Sequence, residues 1–168
     1  MTHWAPQAAV CLGVALVYVI AAQLAFRLSI VHEVVASVWP PAGLALALLV
    51  LRGPGVWPGI FLGALVANAL NGVPWYGAMT IGAGNTLSAV FAAHALRLAG
   101  LQVQLHRVRD ALLLLGFGAL LSPVIAATSG TLSLHVAAEV PGDLLETIWV
   151  TWWSGDAIGI LLFAPPLL

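Results

Sequence analysis

Thr151-Trp152-Trp153-Ser154-Gly155-Asp156-Ala157-Ile158-Gly159 is the stretch that decides the fold. Asp156 is the only charged residue between Glu146 and Leu168, and the residues around it are apolar enough to cross a bilayer. Its carboxyl group therefore belongs near mid-depth. An ionisable group at that depth is costly and faces a protein interior or a water-filled cavity. The reading that follows is a membrane protein, with Asp156 as the first place to look for its role.

The rest of the chain agrees with that reading. Its 168 residues are 62% hydrophobic and 7% charged, with a mean hydropathy of +1.07. Soluble domains carry about 25% charged residues, so this chain cannot cover a water-facing surface. The fold class is all-α, a polytopic transmembrane helical bundle, because lipid requires each spanning segment to satisfy its own backbone. There are five arginines, no lysine and a net charge of −1, which supplies no basic patch for nucleic acid. The single Cys11 excludes an internal disulfide and a thiolate metal centre. Residues 1–7 lack the positive flank of a secretory signal, so the first apolar run is retained as a span.

Spans of about 20 apolar residues fall at Gln7–Ile30, Trp75–Leu98, Asp110–Val136 and Asp143–Phe163. Two shorter runs, Pro41–Leu51 and Val56–Leu70, are separated by the turn Arg52-Gly53-Pro54-Gly55. The expectation is six helices, the second and third short. Placing the N-terminus in the cytoplasm puts Arg52, Arg97, Arg107 and Arg109 inside and only Arg27 outside. The positive-inside rule therefore predicts both termini cytoplasmic. The chain closes on Pro165-Pro166-Leu167-Leu168 with no polar tail; of a small stand-alone membrane protein and a piece of a longer chain, the second is expected.

The short second helix points to a site. From Pro41 to Leu51 it rises about 17 Å, against about 30 Å of hydrocarbon. Trp39 and Pro40 should be non-helical, since a residue before proline avoids the helical region. If Arg52 lies at the inner surface, the helix begins within the membrane, where irregular backbone needs protein or water around it. Its dipole would then aim into a cavity. The alternative is a helix extended through Val34–Trp39 and kinked at the prolines.

Asn68 ends helix 3, Asn85 lies mid-way along helix 4, and Trp152 sits one turn before Asp156. The expected cavity lining is Trp39, Asn68, Asn85, Trp152 and Asp156. Asn85 is also readable as an interhelical hydrogen bond, worth roughly 0.6–2 kcal/mol. Asp156 has three readings: a protonated carboxyl bonded to Asn85 or Ser122, a carboxylate facing a wet cavity, or a binder of a proton or cation. Gly59/Gly63 and Gly155/Gly159 are expected to let helices approach closely. Trp4, Trp39, Trp57, Trp75 and Trp149 read as interfacial anchors. His135 and Glu139, four apart, are weak evidence for a metal site, and no catalytic signature is present.

Five motifs carry a resemblance. They are Ala36-Ser37-Val38-Trp39-Pro40-Pro41-Ala42-Gly43-Leu44-Ala45; Val56-Trp57-Pro58-Gly59-Ile60-Phe61-Leu62-Gly63-Ala64 with Asn68 beyond it; Ile81-Gly82-Ala83-Gly84-Asn85-Thr86-Leu87; Arg107-Val108-Arg109-Asp110; and the Asp156 segment through Ile160. Together they resemble the type-one membrane-associated sensor domain of the MASE family. The resemblance implies a non-enzymatic sensory input module of a bacterial inner membrane. Such modules precede histidine kinases, cyclic-di-GMP enzymes and PAS-containing proteins, and the six spans here would be the N-terminal part of a longer domain. Its expected partners are the lipid bilayer, a cytoplasmic signalling domain in the same chain and a second copy in a homodimer; no cofactor is implied. Two rivals stand beside it. One is a vitamin-uptake type of transporter subunit, for which Ala21/Ala25 offers a weak docking face. The other is a structural anchor or dimerisation module, which a bundle without a solvent-accessible cavity near Asp156 would favour.

Overall fold

Two prolines in succession start the helix around which the others assemble. The computed structural model describes residues 4–28, 37–138 and 140–168, with side chains from Gln7 onward. Among the described residues it contains six helices and no strand. These are α1 (Trp4–Leu28), α2 (Pro40–Arg52), α3 (Trp57–Leu70), α4 (Trp75–Leu98), α5 (Val108–Ala137) and α6 (Leu145–Phe163). The all-α bundle is therefore as expected, with α2 and α3 short at 13 and 14 residues.

Helix α2 begins one residue earlier than expected. Pro40 and Pro41 fill its first two positions and Trp39 is the N-cap, with φ −116° and ψ 81°. Trp39 is non-helical, as expected of a residue before proline, whereas Pro40, which also precedes a proline, is helical because its fixed φ suits a first helical turn. Helix α5 begins at Val108, before the expected Asp110, because the backbone turns from extended to helical at Arg107. A 3-10 turn over Gly142–Leu144 delays α6 from Asp143 to Leu145. The expected end of helix 1 at Ile30, the alternative helix through Val34–Trp39, the Trp4 side chain and Glu139 lie wholly or partly outside the described residues.

Helices α1, α3, α4, α5 and α6 pack in succession, and α2 fits between α1, α4 and α6. Ala45, Leu46, Ala47 and Leu49 of α2 are all buried, and the main apolar core forms around them. Gly59 and Gly63 of α3 lie against the Cys11 carbonyl and the Tyr18 side chain of α1, the close approach that small residues permit. A second, smaller core joins Ile81, Ala127, Leu134 and Trp152. On α1, Leu12, Leu16, Ile20 and Leu24 form an exposed stripe spaced by four residues, one helical face turned outward.

Among the described residues, three helices are long and apolar enough to cross a membrane: Gln7–Arg27 within α1, the whole of α5, and Gly142–Leu167 around α6. Helix α4, 24 residues long, owes its lower apolarity to its position. It buries twelve residues, among them Asn85, Thr86 and Ser88, against its neighbours.

Proline also reshapes α5. Pro123 has no N–H to give to the preceding turn. Residues Leu114–Leu121 adopt the wider π geometry, and the Ser122 amide reaches back to the Phe117 carbonyl. Segments of this kind recur at functional sites. The Ser122 hydroxyl donates to the Gly118 carbonyl at 2.7 Å, and Ser88 of α4 donates to the Ser122 carbonyl at 2.7 Å.

At the arginine-bearing end, Arg97 of α4 donates from Nη2 to the Leu49 and Val50 carbonyls at 2.7 and 3.3 Å. Those carbonyls belong to the last turn of α2, where helical N–H partners run out. Gly53 helps close the same end, at φ +89° with its N–H on Leu49.

Candidate functional site

The α2–α6 junction is built on glycine. A Cβ on Gly159 would run into the Trp39 carbonyl, and one on Gly43 would run into the Gly159 carbonyl. With neither present, the Trp39 amide donates to the Gly155 carbonyl at 2.9 Å. That contact presses the start of α2 against the turn of α6 carrying Asp156.

Around this junction, Tyr18, Trp39, Ala42, Leu46, Asn85, Ser88, Ser122 and Asp156 enclose a cavity of about 10 Å³. Trp39, Asn85 and Asp156 are each at least nine-tenths buried. The hydroxyl of Tyr18 is their common neighbour. The Asn85 Nδ2 donates to it at 3.3 Å, and the Trp39 indole and Asp156 carboxyl flank it. Trp39 Nε1, Asn85 Oδ1 and Asp156 Oδ1 have no hydrogen-bond partner.

Three of the five residues expected at the site, Trp39, Asn85 and Asp156, therefore meet at one cavity. The other two do not. Asn68 donates to Ala64 one turn back on α3, a helix remote from α6. The ring of Trp152 lies over Gly130 of α5, because helical side chains lean toward the N-terminus of their helix. Trp153 likewise turns away, donating from Nε1 to the Leu120 carbonyl and stacking on Trp149.

Other expectations change as well. Trp39, 7% exposed, is a core residue and not an interfacial anchor, while Trp57 and Trp75 are exposed at 49% and 71%. Ser122 and Asn85 do not hydrogen-bond Asp156: the Ser122 hydroxyl serves Gly118 and the Asn85 amide serves Tyr18. The dipole of α2 does not offer free N–H groups to the cavity. Pro40 and Pro41 have none, and the Ala42 N–H is taken by the Trp39 carbonyl. The cavity is also far smaller than a small-molecule pocket, which typically occupies about 300–1,000 Å³.

Tyr18 and Ser88 were not singled out in the sequence. A lone tyrosine mid-way along an apolar span was the available signal, because its hydroxyl needs a partner there. Ser88 shares a helical face with Asn85, three residues before it. No three His, Cys, Asp or Glu side chains converge to hold a metal among the described residues. His135 instead places Nδ1 2.7 Å from the Val140 carbonyl.

Larger spaces lie among the described residues outside this junction. One, of about 460 Å³, is an apolar groove between α1 and α2 with Arg52 and Leu167 at its edge. Another, of about 430 Å³, lies between α4 and α5 beside Tyr76, Thr80, Ser129 and Ser133.

Among known families, the MASE1 family model matches residues 9–168. No curated protein and no solved structure matches the chain.

Proposed function

This chain belongs to the MASE1 family of membrane-associated sensor domains, and from that premise we propose that a small ligand or membrane-associated stimulus acts on the junction of α2 and α6. The family is sensory and not itself catalytic. The stimulus biases the bundle between two packings, and the change passes to a cytoplasmic signalling domain in the same chain, a histidine kinase or a cyclic-di-GMP enzyme. A ligand can shift such an equilibrium only by its differential affinity for the two states. The domain works in a bacterial inner membrane with both ends of this segment cytoplasmic, as a homodimer.

One observation carries the proposal. Trp39, Asn85 and Asp156 bring three buried, unpartnered polar atoms to the seam between a half-helix and a spanning helix. Buried polar groups are ordinarily hydrogen-bonded, and an exception calls for an explanation. A polar seam closed by few direct bonds is inexpensive to open, which suits a two-state element.

The test is signalling output from the full-length protein in cells. Asp156→Asn and Asn85→Ala should each shift the stimulus response while membrane expression stays at the wild-type level. An unchanged response in both would exclude the junction as the sensing element. The closed cavity of about 10 Å³ favours a second reading, in which the domain only anchors and pairs its effector. In that case both variants signal normally, and substitutions that disrupt pairing are the ones that abolish output.

A further inference from the structure

We infer that the cavity between α1, α2, α4 and α6 is a binding site for one water molecule, held by Trp39, Asn85 and Asp156. Size is the first ground. A water needs about 10–15 Å³ of accessible space, and the cavity offers about 10 Å³. An organic ligand or a hydrated cation does not fit.

Hydrogen-bond chemistry is the second ground. A buried water typically makes about three hydrogen bonds to groups otherwise left unsatisfied. The cavity residues supply one donor, Trp39 Nε1–H, and two acceptors, Asn85 Oδ1 and Asp156 Oδ1, each without a partner. One water accepts from the indole and donates to the amide and the carboxyl, which uses all three. The arrangement selects against a bare cation, because an indole N–H can only donate. It selects against an anion as well, since the two remaining groups are acceptors and the prolines have removed the N–H groups at the start of α2.

Such a water links α2, α4 and α6 at a level where no direct side-chain hydrogen bond joins the three. Asn85 binds directly only to Tyr18 of α1. The connection between the half-helix and its neighbours is then exchangeable, unlike the direct arginine clamp at the other end of α2. The inference does not depend on the signalling proposal.

Radiolytic hydroxyl labelling of the protein in its membranes tests it, since radicals form at bound water and oxidise the side chains touching it. Trp39 and Trp152 are nearly equally buried, at 7% and 8% exposure, and only Trp39 borders the cavity. Trp39 should be oxidised several-fold more than Trp152, and Asn85→Leu, which removes an acceptor and fills the space, should abolish the difference. Asp156→Leu provides the same check if the first variant does not fold. Equal protection of the two tryptophans in the wild type overturns the inference, as does a Trp39 signal that survives both substitutions. Labelling that follows the expectation while output ignores Asp156 would overturn only the signalling proposal.

Discussion

Asp110 and Asp156 are both buried aspartates, at 0% and 3% exposure, yet their surroundings differ. Asp110 lies in the first turn of α5, where the helix dipole favours a negative charge. Its Oδ1 accepts from the Gln102 amide at 3.2 Å and so fixes the α4–α5 connection. Asp156 lies inside α6, far from either helix end, and its Oδ1 has no hydrogen-bond partner, while Asp110 leaves only Oδ2 unpartnered. Burial alone therefore says little about the role of a carboxyl group. What separates the two is one backbone donor within reach: the Gln102 N–H, in the connection before α5, meets Asp110 Oδ1, whereas the N–H groups around Asp156 are used within α6.

The largest expected effect strikes the seam beside Asp156. Gly159→Val would drive a side chain into the Trp39 carbonyl, and overpacking against backbone costs about 3 kcal/mol or more. Thermal unfolding in detergent should show a large loss of stability, and wild-type stability would mean that α2 and α6 do not meet as described. Asp110→Ala should come next, at about 1–2 kcal/mol, within the range for leaving a buried N–H without its acceptor. Limited proteolysis should then cut the α4–α5 connection near Gln102, and an unchanged pattern would erase the contrast with Asp156. Asp156→Asn should be the mildest. The substitution keeps the shape and an acceptor oxygen for the water, so stability should change by less than about 1 kcal/mol, the centre of the range for point substitutions. A large loss would place Asp156 with Asp110 as a structural carboxyl.

Much of the fold was legible because lipid imposes a simple rule on composition and length. Runs of apolar residues between arginine- and glycine-bearing turns gave six helices, and the bounds of α4 were read as they are found. The two short helices followed from Pro41 and from the Gly/Pro cluster. Element ends were less legible, since caps and 3-10 turns depend on local dihedral angles. The π segment in α5 has no signature of its own in residue type, although its cause, Pro123, is plain in the sequence. At the site, Asn85 and Asp156 were read as lying at one depth, and they share the cavity. Depth along a helix is countable from sequence, but azimuth around the bundle is not. Asn68 was therefore misplaced, and Tyr18, arriving from α1, was missed.

The sequence by itself determined that the chain is helical, that it lies in lipid, and that a carboxyl group is carried into its interior, because those properties follow from hydropathy and length alone. Only the tertiary structure decided the neighbours of that carboxyl and the size of the space around it. Those depend on how closely Gly43 and Gly159 bring α2 to α6, and on which face each helix turns inward. Packing of side chains from distant parts of the chain sets both, and no local pattern encodes it.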